Sequence, residues 1–245
     1  MKTYGIIGFP LTHSFSRHYF TEKFIKEGIT DCVYKTFPIQ SIAEFPQLLR
    51  NNPDLAGLNV TIPHKQSVFQ YLHTATGIPS GLRACNCIKI KDGKALGYNT
   101  DITGFENSIL PLLKEQHKQA LILGNGGAAE AVKFVLQRLN IGYQVVSRNL
   151  HNGSTLTYAD LDEKIITEHS LVINTTPLGT FPRTNSCPDI PYQFLHSKHL
   201  LYDLVYNPAT TLFLQKGAEQ GATIKNGFEM LVIQAEESWK LWNED

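Results

Sequence analysis

Ala120-Leu121-Ile122-Leu123-Gly124-Asn125-Gly126-Gly127-Ala128-Ala129 is where the fold of this chain is read. Residues 120–123 form a short apolar run of the kind that a strand buried on both faces requires. Behind the glycines, Ala128, Ala131, Val132, Val135 and Leu139 recur at helical spacing. Strand, G-x-G-x-x-A turn and helix together match the opening of a dinucleotide-binding βαβ unit. Gly124 permits the tight turn, Gly126 allows a pyrophosphate to approach the backbone, and the small Ala129 permits close packing while the helix N-terminus attracts the anion. An ordinary strand-to-helix turn has the same letters, so the glycines alone leave both readings open.

The next strand, residues 144–147, ends in Ser147-Arg148-Asn149. An NAD-binding fold places Asp or Glu at this point to accept bonds from the ribose hydroxyls. A basic side chain there favours NADP instead, because a guanidinium can bind a 2′-phosphate and stack on adenine. The alternative is a solvated loop arginine.

Outward from this unit, short β-branched runs alternate with helical patterns, as in parallel strands joined by crossover helices. Strands are expected at 4–7, 33–37, 55–60, 171–174, 200–205 and 223–225. Helical faces are marked by Phe20, Phe24 and Ile25, by Ile42, Phe45, Leu48 and Leu49, and by Met230, Leu231, Ile233, Trp239 and Leu241 near the end. Pro63 suits the first turn of a helix carrying Val68, Phe69 and Leu72. Residues 86–90 and 94–98 flank Lys91-Asp92-Gly93 and read as a hairpin. A helical stretch from Thr103 to about Gln116 marks a candidate domain boundary.

Composition narrows the function classes. The 245 residues carry 22 basic and 22 acidic side chains, a balance that weakens any nucleic-acid partner. With 42% hydrophobic and 18% charged residues, the chain can bury a core. No stretch approaches the roughly eighteen apolar residues needed to span a membrane. Gly5, Gly8 and Pro10 interrupt the apolar start, so Met1 is read as the working terminus. Cys32, Cys85, Cys87 and Cys187 lack paired zinc spacing, and reduced thiols in the cytoplasm account for them. Cys85 and Cys87 are read as packing residues on one face of a strand. His196 and His199 stand i, i+3 without an evident third ligand, so no metal is expected and surface histidines are the simpler reading.

Three further segments carry polar groups. Ser14 and Ser16 follow the first strand; two hydroxyls there suit a small carboxylate, but turn or helix-cap roles explain them as well. Asn59 and Thr61 flank the end of an apolar strand, with Lys65 after Pro63. An ammonium in the first turn of a helix is opposed by the dipole, which would ready it for proton transfer; a surface lysine is the alternative. Asp101, after Asn99-Thr100, serves either as a helix-start residue or as a partner that orients such a lysine.

In this order the segments resemble the shikimate dehydrogenase family. The matching stretches are Gly8-Phe9-Pro10 with His13-Ser14-Phe15-Ser16, then Gly57-Leu58-Asn59-Val60-Thr61-Ile62-Pro63-His64-Lys65, and Asn99-Thr100-Asp101 with Gly104-Phe105. They continue with Asn174-Thr175-Thr176-Pro177-Leu178-Gly179, the family's nicotinamide-side loop, with Asp203-Leu204-Val205-Tyr206-Asn207-Pro208, and with Asn226-Gly227 through to Gln234. The resemblance implies an α/β chain of two lobes with a cleft between them. An N-terminal substrate-binding domain with a mostly parallel sheet would span 1–102 plus 228–245, and a Rossmann-type NADP-binding domain 103–227.

It further implies reduction of 3-dehydroshikimate to shikimate with NADPH, on the route to chorismate and aromatic amino acids, by a cytoplasmic monomer or homodimer whose only partners are small molecules. Ser14 and Ser16 would hold the carboxylate. Asn59, Thr61, Asn86, Asp101 and Gln234 would bind ring hydroxyls, with Tyr206 lining the site, and Lys65 paired with Asp101 would be the acid/base. Gly124, Asn125, Gly126, Gly127 and Ala128 would bind pyrophosphate, Ser147, Arg148 and Asn149 the 2′-phosphate, with Thr175 and Gly227 also on the cofactor. The chain departs from the family's pattern at Phe9, Arg17, Cys87 and Ser147. A quinate dehydrogenase and a non-catalytic NADP-binding regulator are the alternatives within the fold, and a metal-dependent dehydrogenase lacks its clustered ligands.

Overall fold

The computed structural model describes residues 1–11, 14–150 and 153–244, so His13 of the N-terminal motif lies outside the described residues. The chain divides into two compact units, Met1–Thr100 with Gln234–Asp245, and Asp101–Ile233. No helix among the described residues is long and apolar enough to cross a membrane.

The first unit contains β1 (Lys2–Gly8), α1 (Phe15–Lys26), β2 (Cys32–Pro38), α2 (Phe45–Asn51), β3 (Leu55–Val60), β4 (Thr74–Gly77), β5 (Cys87–Lys91) and β6 (Lys94–Tyr98). Its sheet runs β2-β1-β3-β5-β6-β4. β1 pairs in parallel with β2 and β3, and β4 with β6, while β3-β5 and β5-β6 are antiparallel. The expected hairpin is present. Asp92 and Gly93 alone separate its strands, both at positive φ (52° and 70°), the backbone that a two-residue turn of matching twist demands.

The second unit contains α3 (Asp101–Ile109), β7 (Gln119–Leu123), α4 (Gly127–Arg138), β8 (Gly142–Ser147), β9 (Leu156–Thr157), α5 (Glu163–Glu168), β10 (Leu171–Asn174), β11 (Leu200–Asp203), α6 (Leu212–Glu219) and β12 (Thr223–Asn226). The final helix, α7 (Phe228–Asn243), contains the second division point. The sheet order is β12-β11-β10-β7-β8-β9 and every pairing is parallel. Leu121, Ile122, Leu123, Val172, Ile173, Leu200 and Leu201 are all fully buried, as the near-continuous apolar strands of a parallel sheet require. From β7 the chain moves outward through β8 and β9, then returns to the other side of β7 with β10. The loops leaving β7 and β10 therefore diverge from adjacent strands, which opens a crevice at the carboxyl edge.

The structure differs from the sequence reading at residues 61–71. Instead of an α-helix from Pro63 there is a turn followed by a short 3-10 helix, Ser67–Tyr71. The carbonyls of Ile62 and Lys65 accept the N–H groups of Phe9 and Cys85, at 3.0 and 2.8 Å, and so cannot serve a helical ladder. The buried His64 ring anchors the turn on the Ile39 carbonyl at 2.8 Å. No α-helix begins at Lys65, and the dipole-based reason for a proton-transfer lysine there falls away.

His199 is a second correction. It is buried rather than on the surface: its Nδ1 accepts the His196 N–H at 3.1 Å, and its Nε2 therefore donates to the Ile166 carbonyl at 3.0 Å. No group of three or more His, Cys, Asp or Glu side chains among the described residues is arranged to hold a metal.

Candidate functional site

The crevice at the β7/β10 switch point is a cleft of about 500 Å³ lined by Gly124, Asn125 and Gly126, by Ser147, Arg148 and Asn149, and by Tyr158 and residues 175–178. Gly124 has φ +104°, and a Cβ there would stand 2.8 Å from Thr176 Cγ2 and 2.9 Å from Thr175 Oγ1. Only glycine fits this approach of the two loops. At Gly126 and Gly127 a Cβ would meet nothing within 4 Å. Gly126 is the N-cap of α4, and no side chain among the described residues caps that helix. An open backbone cradle at an uncapped helix N-terminus fits a pyrophosphate. Gly127 and Ala128 open α4 itself. Lys133, one turn further on, donates to Asn125 Oδ1 and to Glu130 at 2.9 Å, which holds the Asn125 side chain beside the cradle.

At the other end of the cleft, Arg148 is exposed and is the only charged residue among the described residues of the lining. The buried Ser147 hydroxyl donates to the Asn149 carbonyl at 2.6 Å and braces this turn. Tyr158 carries no signal in the sequence because it lies beyond β9, in a 3-10 turn that no periodicity marks. Burial raises the pKa of its phenol, and the nearby Arg148 charge works in the opposite direction.

Thr175 and Thr176 form the opposite wall. Gly227 is not in the lining; its backbone packs against Leu204, whose carbonyl a Cβ would strike.

The first unit brings several of the expected polar residues into one buried chain of hydrogen bonds. Tyr34 donates to Asn59 Oδ1 at 2.7 Å, and Asn59 Nδ2 donates to Ser238 Oγ at 3.0 Å. Asn86 is locked to Thr100, accepting its N–H at 2.7 Å and donating to its hydroxyl at 3.0 Å. Ser16 is buried and hydrogen-bonded to Tyr34, whose pKa burial drives far upward. Nothing in the sequence singles out Tyr34 and Ser238, since each sits at an ordinary core position of a strand or helix. Ser14 is the N-cap of α1, accepting the Arg17 N–H at 3.3 Å. Its cap role is therefore met, and Arg17 itself points to solvent.

Thr61 and Lys65 are half-buried in the turn after β3. Asp101 is buried in the first turn of α3, Gln234 is buried on α7, and Tyr206 is half-buried beyond β11 with its pKa raised by burial. Lys65 thus lies in the first unit and Asp101 opens the second. Cys87 is fully buried on β5, and desolvation raises its thiol pKa so far that no thiolate forms at neutral pH.

A wholly parallel sheet with a glycine cradle at its switch point defines a dinucleotide-binding α/β protein of the Rossmann type. Residues 6–88, in the other unit, match the family described as shikimate dehydrogenase substrate binding domain. Along its length the chain is 35% identical to a shikimate dehydrogenase (NADP(+)) of Ignicoccus hospitalis, covering 98% of this chain and 92% of that protein. Against the shikimate dehydrogenase (NADP(+)) of Methanococcus maripaludis strain C7 the identity is 33%, covering 98% and 91%. A crystal structure of a shikimate dehydrogenase in complex with NADP+ superposes with a TM-score of 0.86 at 28% identity, covering 99% of this chain and 90% of that one. The chain belongs to the shikimate dehydrogenase family.

Proposed function

We propose that this protein catalyses the reversible, NADPH-linked reduction of 3-dehydroshikimate to shikimate. The observation that carries the reading is the cleft of the second unit, with its open glycine cradle and, among the described residues of its lining, one cation and no carboxylate. A carboxylate would repel a 2′-phosphate, whereas Arg148 can bind it. The names of the relatives, which specify NADP(+), support the same choice. When bound, NADPH supplies the hydride.

In this reading residues 101–233 hold the cofactor, and the remainder, joined by Asp101 and Tyr206, holds the substrate. Gly124, Asn125, Gly126, Gly127 and Ala128 bind the pyrophosphate, Arg148 and Asn149 the 2′-phosphate, and Thr175 flanks the nicotinamide; Ser147 braces the phosphate turn. Gly227 contributes by permitting close backbone packing.

Ser14 and Ser16 hold the substrate carboxylate. Asn86 has one N–H left after its bonds to Thr100, and this donor serves a ring hydroxyl. Asn59 has committed its amide donors internally, so it offers only a lone pair and acts chiefly by shaping the pocket. Thr61, Gln234 and Asp101 complete the hydroxyl contacts, with Tyr206 along the side. Lys65 is the acid/base, protonating or stabilising the developing C3 alkoxide, and Asp101 holds and orients it.

Initial rates with shikimate and with quinate, each against NADP and NAD, test the reaction; shikimate with NADP is expected to dominate. Lys65→Ala is expected to abolish turnover while shikimate still binds. Unaltered turnover in that variant refutes the acid/base role.

A further inference from the structure

Parallel register sets Asn174 beside Asp203, each the last residue of its strand, β10 and β11. Both are fully buried. Asp203 Oδ1 accepts from Asn174 Nδ2 at 2.9 Å and from the Val205 N–H at 3.0 Å, while Oδ2 accepts from Thr211 Oγ1 at 2.5 Å. Burial raises this carboxyl to about 6 against the pull of those three donors, so at neutral pH it is ionised and only accepts. Asn174 must then turn its NH2 toward Asp203 and its Oδ1 away. That oxygen accepts from the Thr176 N–H at 3.0 Å and from the Thr176 hydroxyl at 2.6 Å.

Thr176 lines the cleft, and its methyl lies where a Cβ on Gly124 would collide. With its proton committed to Asn174, the Thr176 hydroxyl can only accept elsewhere; one lone pair takes the Leu178 N–H at 3.3 Å, which leaves the second as an accepting position. We infer that Asp203 is a positioning residue for cofactor binding: through Asn174 it orients Thr176 and the loop 175–178, fixing that wall as a hydrogen-bond acceptor for an N–H donor such as a carboxamide. The inference rests on the dinucleotide reading of the cleft, with the nicotinamide toward this loop.

Dissociation constants for NADPH and for 2′,5′-ADP, which lacks the nicotinamide half, test it in the full chain. Asp203→Ala and Thr176→Val are each expected to weaken NADPH by about tenfold, the loss of one well-made hydrogen bond, with 2′,5′-ADP changed by less than about twofold. Asp203→Asn is expected to bind NADPH nearly as the parent does, because its carboxamide oxygen still accepts from Asn174 and Val205 while its NH2 faces Thr211. Thr176→Val alters only a partly exposed loop side chain and so remains informative if Asp203→Ala fails to fold.

Unchanged NADPH affinity in Thr176→Val overturns the inference. So does an equal loss of both ligands, which would mean general collapse of the cleft, or an Asp203→Asn variant that loses NADPH. Failure of the unmodified protein to bind 2′,5′-ADP would instead overturn the cofactor reading itself.

Discussion

Replacing Gly126 with alanine separates binding from folding. Gly126 has φ −92° and ψ −176°, extended values open to alanine, and a Cβ there meets no atom within 4 Å. Restricting the unfolded chain gains about 0.4–1 kcal/mol. Alanine is a poorer N-cap than glycine, by an opposing amount of about 0.5–1 kcal/mol. The two nearly cancel, and at about 2–4 °C per kcal/mol for a chain of this size the melting temperature stays within a few degrees of the parent. The methyl group nonetheless enters the space where a pyrophosphate must meet the backbone, and at least a tenfold loss of NADPH affinity is expected, about 1.4 kcal/mol.

Gly124→Ala is the contrasting control. Its φ of +104° and its contacts with Thr175 and Thr176 oppose any side chain. Strain of about 1–3 kcal/mol is expected to lower the melting temperature by roughly 2–12 °C. NADPH fluorescence titration and thermal unfolding of both variants give the two readouts. A Gly126→Ala protein that melts and binds NADPH like the parent would show that phosphates do not approach this backbone.

Arg148→Ala is expected to raise the KM for NADP roughly tenfold, the lower range for a charge-assisted bond at an exposed site, and to leave the KM for NAD unchanged; parallel effects on both cofactors would exclude a 2′-phosphate contact. Tyr34→Phe strips a buried acceptor, Asn59 Oδ1, of its donor and is expected to destabilise by about 1–3 kcal/mol in urea unfolding. A neutral result there would mean the amide finds another partner.

Asp203 has a folded pKa of about 6, raised above its reference value of 3.8. Between those values the native state binds more protons than the unfolded chain, so the group's stabilising contribution is complete below about pH 4 and is lost as pH rises through 6. The loss is on the order of 3 kcal/mol. Asp203→Asn removes this dependence, and unfolding measured from pH 4 to 7 should show the variant gaining on the parent. A constant difference across that range contradicts the assignment.

How far each feature was legible follows from the range of the interactions behind it. Residues 120–132 announced strand, turn and helix because every contribution is local: apolar run, glycine pair, helical period. Asp92-Gly93 announced the hairpin for the same reason. The segment 61–71 misled because Pro63 and the apolar spacing favour a helix locally, whereas Phe9 and Cys85, distant in sequence, take the carbonyls that the helix would need. α5 and α6 are only six and eight residues long, too short for their periodicity to stand out from the loops around them.

The candidate site divides in the same way. Glycines, Arg148, Lys65 and Asp101 could be nominated because their chemistry is written in residue type and in place relative to a strand end. Which hydrogen bonds they and their neighbours make could not be read. Asn59 meets Tyr34 and Ser238 through contacts spanning 25 and 179 residues, and Asn174 meets Asp203 across 29. The sequence by itself determined the α/β class and the dinucleotide turn, since short-range sterics and patterning suffice for both. Only the tertiary structure decided which polar groups find their partners within the protein, because parallel register and burial bring those partners together and local propensity does not.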